Sequence, residues 1–267
     1  MTVVGISERF SQLRSEGRAA LIPYLTAGYP DAEQSVEALT AVAEAGADVI
    51  EIGIPFSDPL ADGPTIQAAS FAALQKGMTV EGTLEVLRSF RASSDTPVVL
   101  FSYLNPILSY GMGQFLSDAA QVGAQGLLLT DLPAGADPDL EEQVRVGPLD
   151  LIRLLAPTTE SERVPRVAEG GQGFLYYISR TGVTGARERL RDGLVHEIRA
   201  LREAIQLPIA VGFGISTSEQ AAMVGAVSDG VVVGSALINA LSAGGPAAAG
   251  EMMASLRSAM DEAVRPL

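Results

Sequence analysis

One stretch of this chain concentrates groups that could move protons. Residues 51–67 read Glu51-Ile52-Gly53-Ile54-Pro55-Phe56-Ser57-Asp58-Pro59-Leu60-Ala61-Asp62-Gly63-Pro64-Thr65-Ile66-Gln67, with three acids among prolines and glycines. The run before it, Ala47-Asp48-Val49-Ile50, has the apolar character of a buried parallel strand. A carboxylate at the C-terminal edge of such a strand stands at the mouth of the sheet, where α/β proteins bind ligands. Prolines fix φ and stiffen the loop, which can then hold Asp62 opposite Glu51. Two carboxyls in unlike environments take unlike pKa values and divide acid and base roles. The plainer reading makes Glu51 a helix cap and Asp58 and Asp62 solvated turn residues; it suits any one acid better than the whole stretch.

A second kind of chemistry is written in glycine. Thr184-Gly185-Ala186, Gly212-Phe213-Gly214-Ile215-Ser216 and Gly234-Ser235-Ala236 follow three successive apolar runs near the C-terminus. Glycine lets backbone approach a ligand, and a helix N-terminus offers free amides and the positive end of its dipole. These strand ends are therefore expected to hold a phosphate. The pattern G-x-x-x-x-G-K-[ST] is absent, which argues against a nucleotide P-loop. The loop Ser179-Arg180-Thr181-Gly182-Val183-Thr184-Gly185 is expected to serve as a lid over the site, with Arg180 and Thr184 as its polar members.

Other candidates carry less. His196, the only histidine, falls in a charged helical segment and reads as a surface residue. With no cysteine, the chain has neither disulfides nor thiolate ligands for zinc. Asp58, Asp62 and Asp131 are hard-cation donors, but without EF-hand spacing. Ser57 has no histidine base near it in sequence. Asn105 and Asp131 close two strands and either line the mouth or hold loops.

The elements that must position these groups recur in order. Eight apolar, β-branched runs lie at 20–25, 48–52, 97–101, 126–130, 149–155, 174–178, 207–211 and 230–233. Helical punctuation separates them. Asp31 and Gln34 have capping-box spacing before a period ending at Gly46, and Thr159/Glu162 and Ser216/Glu219 repeat that spacing. Helical pieces are expected at 66–74, 80–90, 187–205 and 252–264, with a short amphipathic helix at 6–13 before the first strand; 243–250 reads as a loop or helix start. Eight strand–helix units predict a closed (β/α)8 TIM barrel with an extra N-terminal helix, residues 1–267 forming a single domain. An open doubly wound sheet is the alternative, but no G-x-G-x-x-G follows the first strand.

Composition bounds the partners. At 267 residues with 47% hydrophobic content, the chain can build a core without staples. A formal charge of −14 argues against nucleic acid, though not against a small anion held by amides. No apolar run suits a membrane span and the first ten residues do not read as a signal peptide, so a cytoplasmic setting is expected.

The long stretch 51–67 resembles the signature of the tryptophan synthase alpha subunit family. Thr130-Asp131-Leu132-Pro133, Ser179-Arg180-Thr181-Gly182-Val183-Thr184-Gly185, Val211-Gly212-Phe213-Gly214-Ile215 and Val233-Gly234-Ser235-Ala236 are similar to further family motifs, in consistent order along nearly the whole chain. The resemblance implies a (β/α)8 barrel that cleaves indole-3-glycerol phosphate to indole and glyceraldehyde 3-phosphate, without a metal or an organic cofactor in this subunit. By resemblance Glu51 and Asp62 are the catalytic pair. Gly185, Phe213, Gly214, Gly234 and Ser235 bind the substrate phosphate. Tyr24, Phe101, Tyr103 and Tyr176 line the pocket, with Tyr176 orienting Glu51. It further implies a beta subunit carrying pyridoxal phosphate in an alpha2beta2 heterotetramer, with Pro55, Phe56 and Asp58 facing that partner. Two alternatives remain: another phosphate-binding barrel enzyme of the sugar-phosphate isomerase type, and a catalytically silent subunit that only activates its partner.

Overall fold

A computed structural model describes residues 4–178, 193–212 and 214–263. Eight parallel strands pair in sequence order and close on themselves, β1 against β8. They are β1 (Ala20–Thr26), β2 (Ile50–Gly53), β3 (Val98–Ser102), β4 (Gly126–Leu129), β5 (Asp150–Leu155), β6 (Leu175–Ile178), β7 (Ile209–Gly212) and β8 (Gly230–Val233). The alternation of a strand sends every second side chain inward. Ala20, Ile22, Val49, Val99, Leu128, Ile152, Phe174, Ala210 and Val232 meet in one inner cluster, while their outward neighbours pack beneath the helices.

The helices are α1 (Ile6–Ser15), α2 (Ala32–Glu44), α3 (Pro64–Gln75), α4 (Val80–Phe90), α5 (Leu104–Tyr110), α6 (Met112–Gln121), α7 (Pro138–Arg145), α8 (Val164–Ala168), α9 (Leu194–Ala204), α10 (Ser218–Val227) and α11 (Ser235–Glu262). α1 plugs the N-terminal end of the barrel, where Phe10 and Phe174 pack with ring centroids 5.4 Å apart.

A buried acid joins that end together. Asp48 is 1% exposed and accepts from the Leu21 amide at 2.8 Å, Arg9 of α1 at 2.5 Å and Arg257 of α11 at 3.2 Å. Arg257 also donates to the Ala19 carbonyl at 3.1 Å. One carboxylate thus links the first helix, the first strand and the last helix beside the seam where the barrel closes.

Local signals behave unevenly. Asp31 accepts from the Gln34 amide at 2.9 Å, and Gly46, at φ +98°, ends α2 as expected. The capping box before α10 is Thr217 with Gln220, not Ser216 with Glu219; both spacings satisfy the motif, and the helix begins one residue later. Thr159 and Glu162 form no box, because the chain there makes a 3-10 turn, Ser161–Arg163, leading into α8. The long helix expected from Arg187 is described only from Leu194, after Gly193 at φ +109°; residues 187–192 lie outside the described part. The closing helix is longer than expected and breaks at Gly244 and Gly245, resuming with Pro246, whose missing N–H costs nothing at a helix start. Helices α5, α6 and α7 have no counterpart among the helical pieces expected from the sequence.

Candidate active site

Glu51 sits in the middle of β2, paired in register with Tyr24 on one side and Val99 on the other. By the alternation that turns Val49 inward, its side chain enters the barrel. It is 1% exposed, and neither carboxylate oxygen has a hydrogen-bond partner among the described residues. Burial alone pushes its pKa from 4.5 up to about 8. An orphaned buried acid is costly, and folds keep such groups where they are used. It is expected to stand protonated at neutral pH, a proton donor waiting for an acceptor.

The next inward position on β2 is Gly53. A Cβ there would lie 2.0 Å from the Tyr24 hydroxyl oxygen, so the missing side chain seats the phenol. Gly212 on β7 does the same for Tyr176, whose hydroxyl oxygen would lie 2.2 Å from a Cβ. Two tyrosines thus cross the barrel mouth over two glycines. Both phenols are driven well above their ordinary pKa by burial first, then by the acids: Asp62 ahead of Glu51 for Tyr24, and Glu51 ahead of Asp62 for Tyr176. Phe101 meets Tyr24 edge-on, centroids 5.3 Å apart at 79°. The glycine seats had no local signal; only the inward register exposes them.

Asp62 arrives by the loop. Its amide donates to the Pro59 carbonyl at 3.0 Å, and Gln67 of α3 reaches back to the Asp62 carbonyl at 2.9 Å. The Ala61 amide donates to the Tyr103 hydroxyl oxygen at 2.9 Å. Burial raises the Asp62 pKa to about 6, with hydrogen bonding from Tyr103 opposing the rise. The two acids therefore differ, Glu51 holding its proton at neutral pH and Asp62 having largely lost it.

The other acids of the region have separate tasks. Asp58 is exposed and accepts from its neighbour Ser57 at 2.6 Å. Asp131 accepts from the Leu104 amide at 2.7 Å and so caps α5, which favours the loop-holding reading. Among the described residues no group of three metal-binding side chains occurs. His196 is exposed on α9.

On the other side of β1 from β2, and close to Tyr24, α11 begins at Gly234 and Ser235 with no side chain capping its first amides. That leaves an N-terminus able to meet an anion. Gly214 has φ +81°, a left-handed backbone that favours glycine. Gly185, Phe213, Arg180 and Thr184 lie outside the described residues, and the lid reading with them. Of the three residues read as facing a partner, Pro55 is buried in this chain and Phe56 stacks on Tyr103 with centroids 5.2 Å apart. Asp58 is exposed, as is its neighbour Leu60, at 92%.

The family model described as tryptophan synthase alpha chain matches residues 10–265. The tryptophan synthase alpha chain of Acidiphilium cryptum (strain JF-5) is 50% identical over 240 residues, covering 90% of this chain and 87% of that one. Its counterpart from Geobacter sp. (strain M21) is 48% identical over 233 residues, covering 87% of each. Among solved structures, Mycobacterium tuberculosis tryptophan synthase in space group F222 superposes with a TM-score of 0.89 at 36% identity, covering 97% of this chain and 99% of that one. Tryptophan synthase subunit alpha from Legionella pneumophila str. Paris gives 0.86 at 37% identity, covering 96% and 98%.

Proposed function

The chain belongs to the tryptophan synthase alpha chain family, lyases that cleave indole-3-glycerol phosphate, and on that premise we propose that Glu51 and Asp62 divide the chemistry of the cleavage between them. The reaction is a retro-aldol step. The bond between indole C3 and the glycerol chain breaks once C3 has been protonated, because the ring then becomes an electron acceptor. Glu51, protonated at neutral pH, delivers that proton; its carboxylate then takes the proton of the glycerol hydroxyl as the carbonyl of glyceraldehyde 3-phosphate forms. Proton count closes on the same residue. Asp62, ionised, accepts the ring N–H hydrogen bond and offsets the positive charge that grows on the ring.

The observation that carries this reading is the orphaned Glu51 carboxyl with its pKa near 8, held in one barrel mouth with an acid near 6. Tyr24, Phe101, Tyr103 and Tyr176 wall the indole ring, with Tyr176 within electrostatic reach of Glu51. The α11 N-terminus at Gly234 and Ser235, with Gly214, takes the phosphate, aided by Gly185 and Phe213. The chemistry needs only a proton given and regained by Glu51 and a negative charge at Asp62, so this subunit works without a cofactor of its own. A beta subunit carrying pyridoxal phosphate takes the indole in an alpha2beta2 assembly, with Asp58 and its loop turned toward it. The chain acts as a single domain in the cytoplasm, in keeping with the lack of any described helix long and apolar enough to cross a membrane.

The test is indole release from indole-3-glycerol phosphate by the purified chain, alone and with a beta subunit. Slow release alone and faster release with the partner is expected. Partner activation without any release would mean a silent subunit, and no reaction in either setting would overturn the assignment.

A further inference from the structure

Tyr103 was expected to wall the indole pocket with its ring. The structure gives that ring and its hydroxyl further contacts. The ring packs on Phe56, with centroids 5.2 Å apart at 36°. The hydroxyl oxygen accepts from the backbone amide of Ala61, immediately before Asp62, at 2.9 Å. A phenol oxygen that accepts from an amide has its own proton left to give, and the Asp62 carboxyl, on the residue that follows Ala61, is the acceptor that proton can serve. Tyr103 is itself fixed: it is 5% exposed and stands between β3 and α5, which Asp131 caps at the next amide.

We propose that Tyr103 is a positioning residue for Asp62: it pins the 59–62 loop by accepting from Ala61 and holds the Asp62 carboxylate in its ionised form by donating to it. This rests on the role assigned to Asp62 above. The other titratable groups that feel Asp62 are Tyr24 from β1 and Tyr176 from β6; neither is a cation, and no salt bridge among the described residues shares the task. Burial works to protonate Asp62, and a protonated Asp62 could not offset positive charge on a ring nitrogen. A charge-assisted hydrogen bond favours the ionised acceptor and so opposes burial. Removing it must move the Asp62 titration upward.

The experiment is Tyr103→Phe, which keeps the ring and its stacking on Phe56. Asp62 is followed by carbon NMR of aspartate-labelled chain, its resonance assigned by its loss in Asp62→Asn. Expected is a midpoint higher by roughly one pH unit or more, the size of a hydrogen bond to a charged group. An unmoved midpoint overturns the proposal. Should Tyr103→Phe fail to fold, 3-fluorotyrosine placed at position 103, a stronger donor of the same shape, is expected to lower the midpoint, and no change would again overturn it. The pH profile of kcat/KM separates this proposal from the reading beneath it. With Tyr103 in the role given, the acid limb rises in step with the Asp62 midpoint. A midpoint that moves while the limb stays put leaves Tyr103 in place and removes Asp62 from the chemistry.

Discussion

Glu51→Gln should stabilise the protein while disabling it. The glutamate must carry its proton into the fold, since burial raises its pKa from 4.5 to about 8. The sign follows from proton binding: between those values the folded state holds a proton that the unfolded chain has released, so stability falls as pH rises. The loss begins at pH 4.5 and levels off near pH 8. At pH 7 the gap from 4.5 is about 2.5 pH units, which at about 1.4 kcal/mol each makes about 3 kcal/mol. At pH 5 the same reckoning leaves under about 1 kcal/mol. Gln is nearly isosteric with the protonated acid and pays no such proton cost, while the price of leaving polar atoms unpartnered is similar for both. The variant's advantage should therefore be small at pH 5, about 3 kcal/mol at pH 7 and larger still at pH 8.5. Urea unfolding at the three pH values measures it, followed by circular dichroism because the chain lacks tryptophan. A variant no more stable than its parent at any of them would mean that the Glu51 carboxyl is not desolvated, and the acid assignment would lose its physical basis.

Two further outcomes follow from the packing. Gly53→Ala and Gly212→Ala put a Cβ at 2.0 Å and 2.2 Å from the Tyr24 and Tyr176 hydroxyl oxygens; each should cost about 1–3 kcal/mol through overpacking and lower kcat/KM by displacing the phenols, and unchanged kcat/KM would show the seats to be dispensable. Asp48→Ala strands Arg9, Arg257 and the Leu21 amide; a urea midpoint lower by the equivalent of about 3–5 kcal/mol is expected, and a loss under about 1 kcal/mol would mean that the closure does not depend on this acid.

How much of this was written in the sequence depends on the range of each interaction. The eight strands were legible because a buried parallel strand carries its own apolar run. Glu51 was legible because a carboxylate interrupts such a run, although it stands within β2 and not at the edge expected, and Asp31 because its cap is three residues away. Tyr103 was legible as a pocket candidate but its bond to the loop was not: the partner amide, Ala61, lies 42 positions away in a loop whose path only the fold determines. Asp48 looked like one more residue of the run before Glu51, since its partners come from opposite ends of the chain. Gly53 and Gly212 gave no local hint, because each glycine answers a tyrosine on another strand or across the register. The capping box slipped by one residue because Ser216/Glu219 and Thr217/Gln220 satisfy the same rule, and only the helix start separates them.

The central claim is that Glu51 supplies and recovers the proton that breaks the carbon–carbon bond. Single-turnover cleavage of indole-3-glycerol phosphate by Glu51→Gln, at saturating substrate and with an intact fold, tests it most directly. An amide cannot titrate, so the rate should fall by at least the roughly 10²–10⁴-fold associated with general acid–base catalysis, with substrate binding retained. Cleavage within a few-fold of the parent would contradict the account and assign the proton to water or to another residue of the mouth.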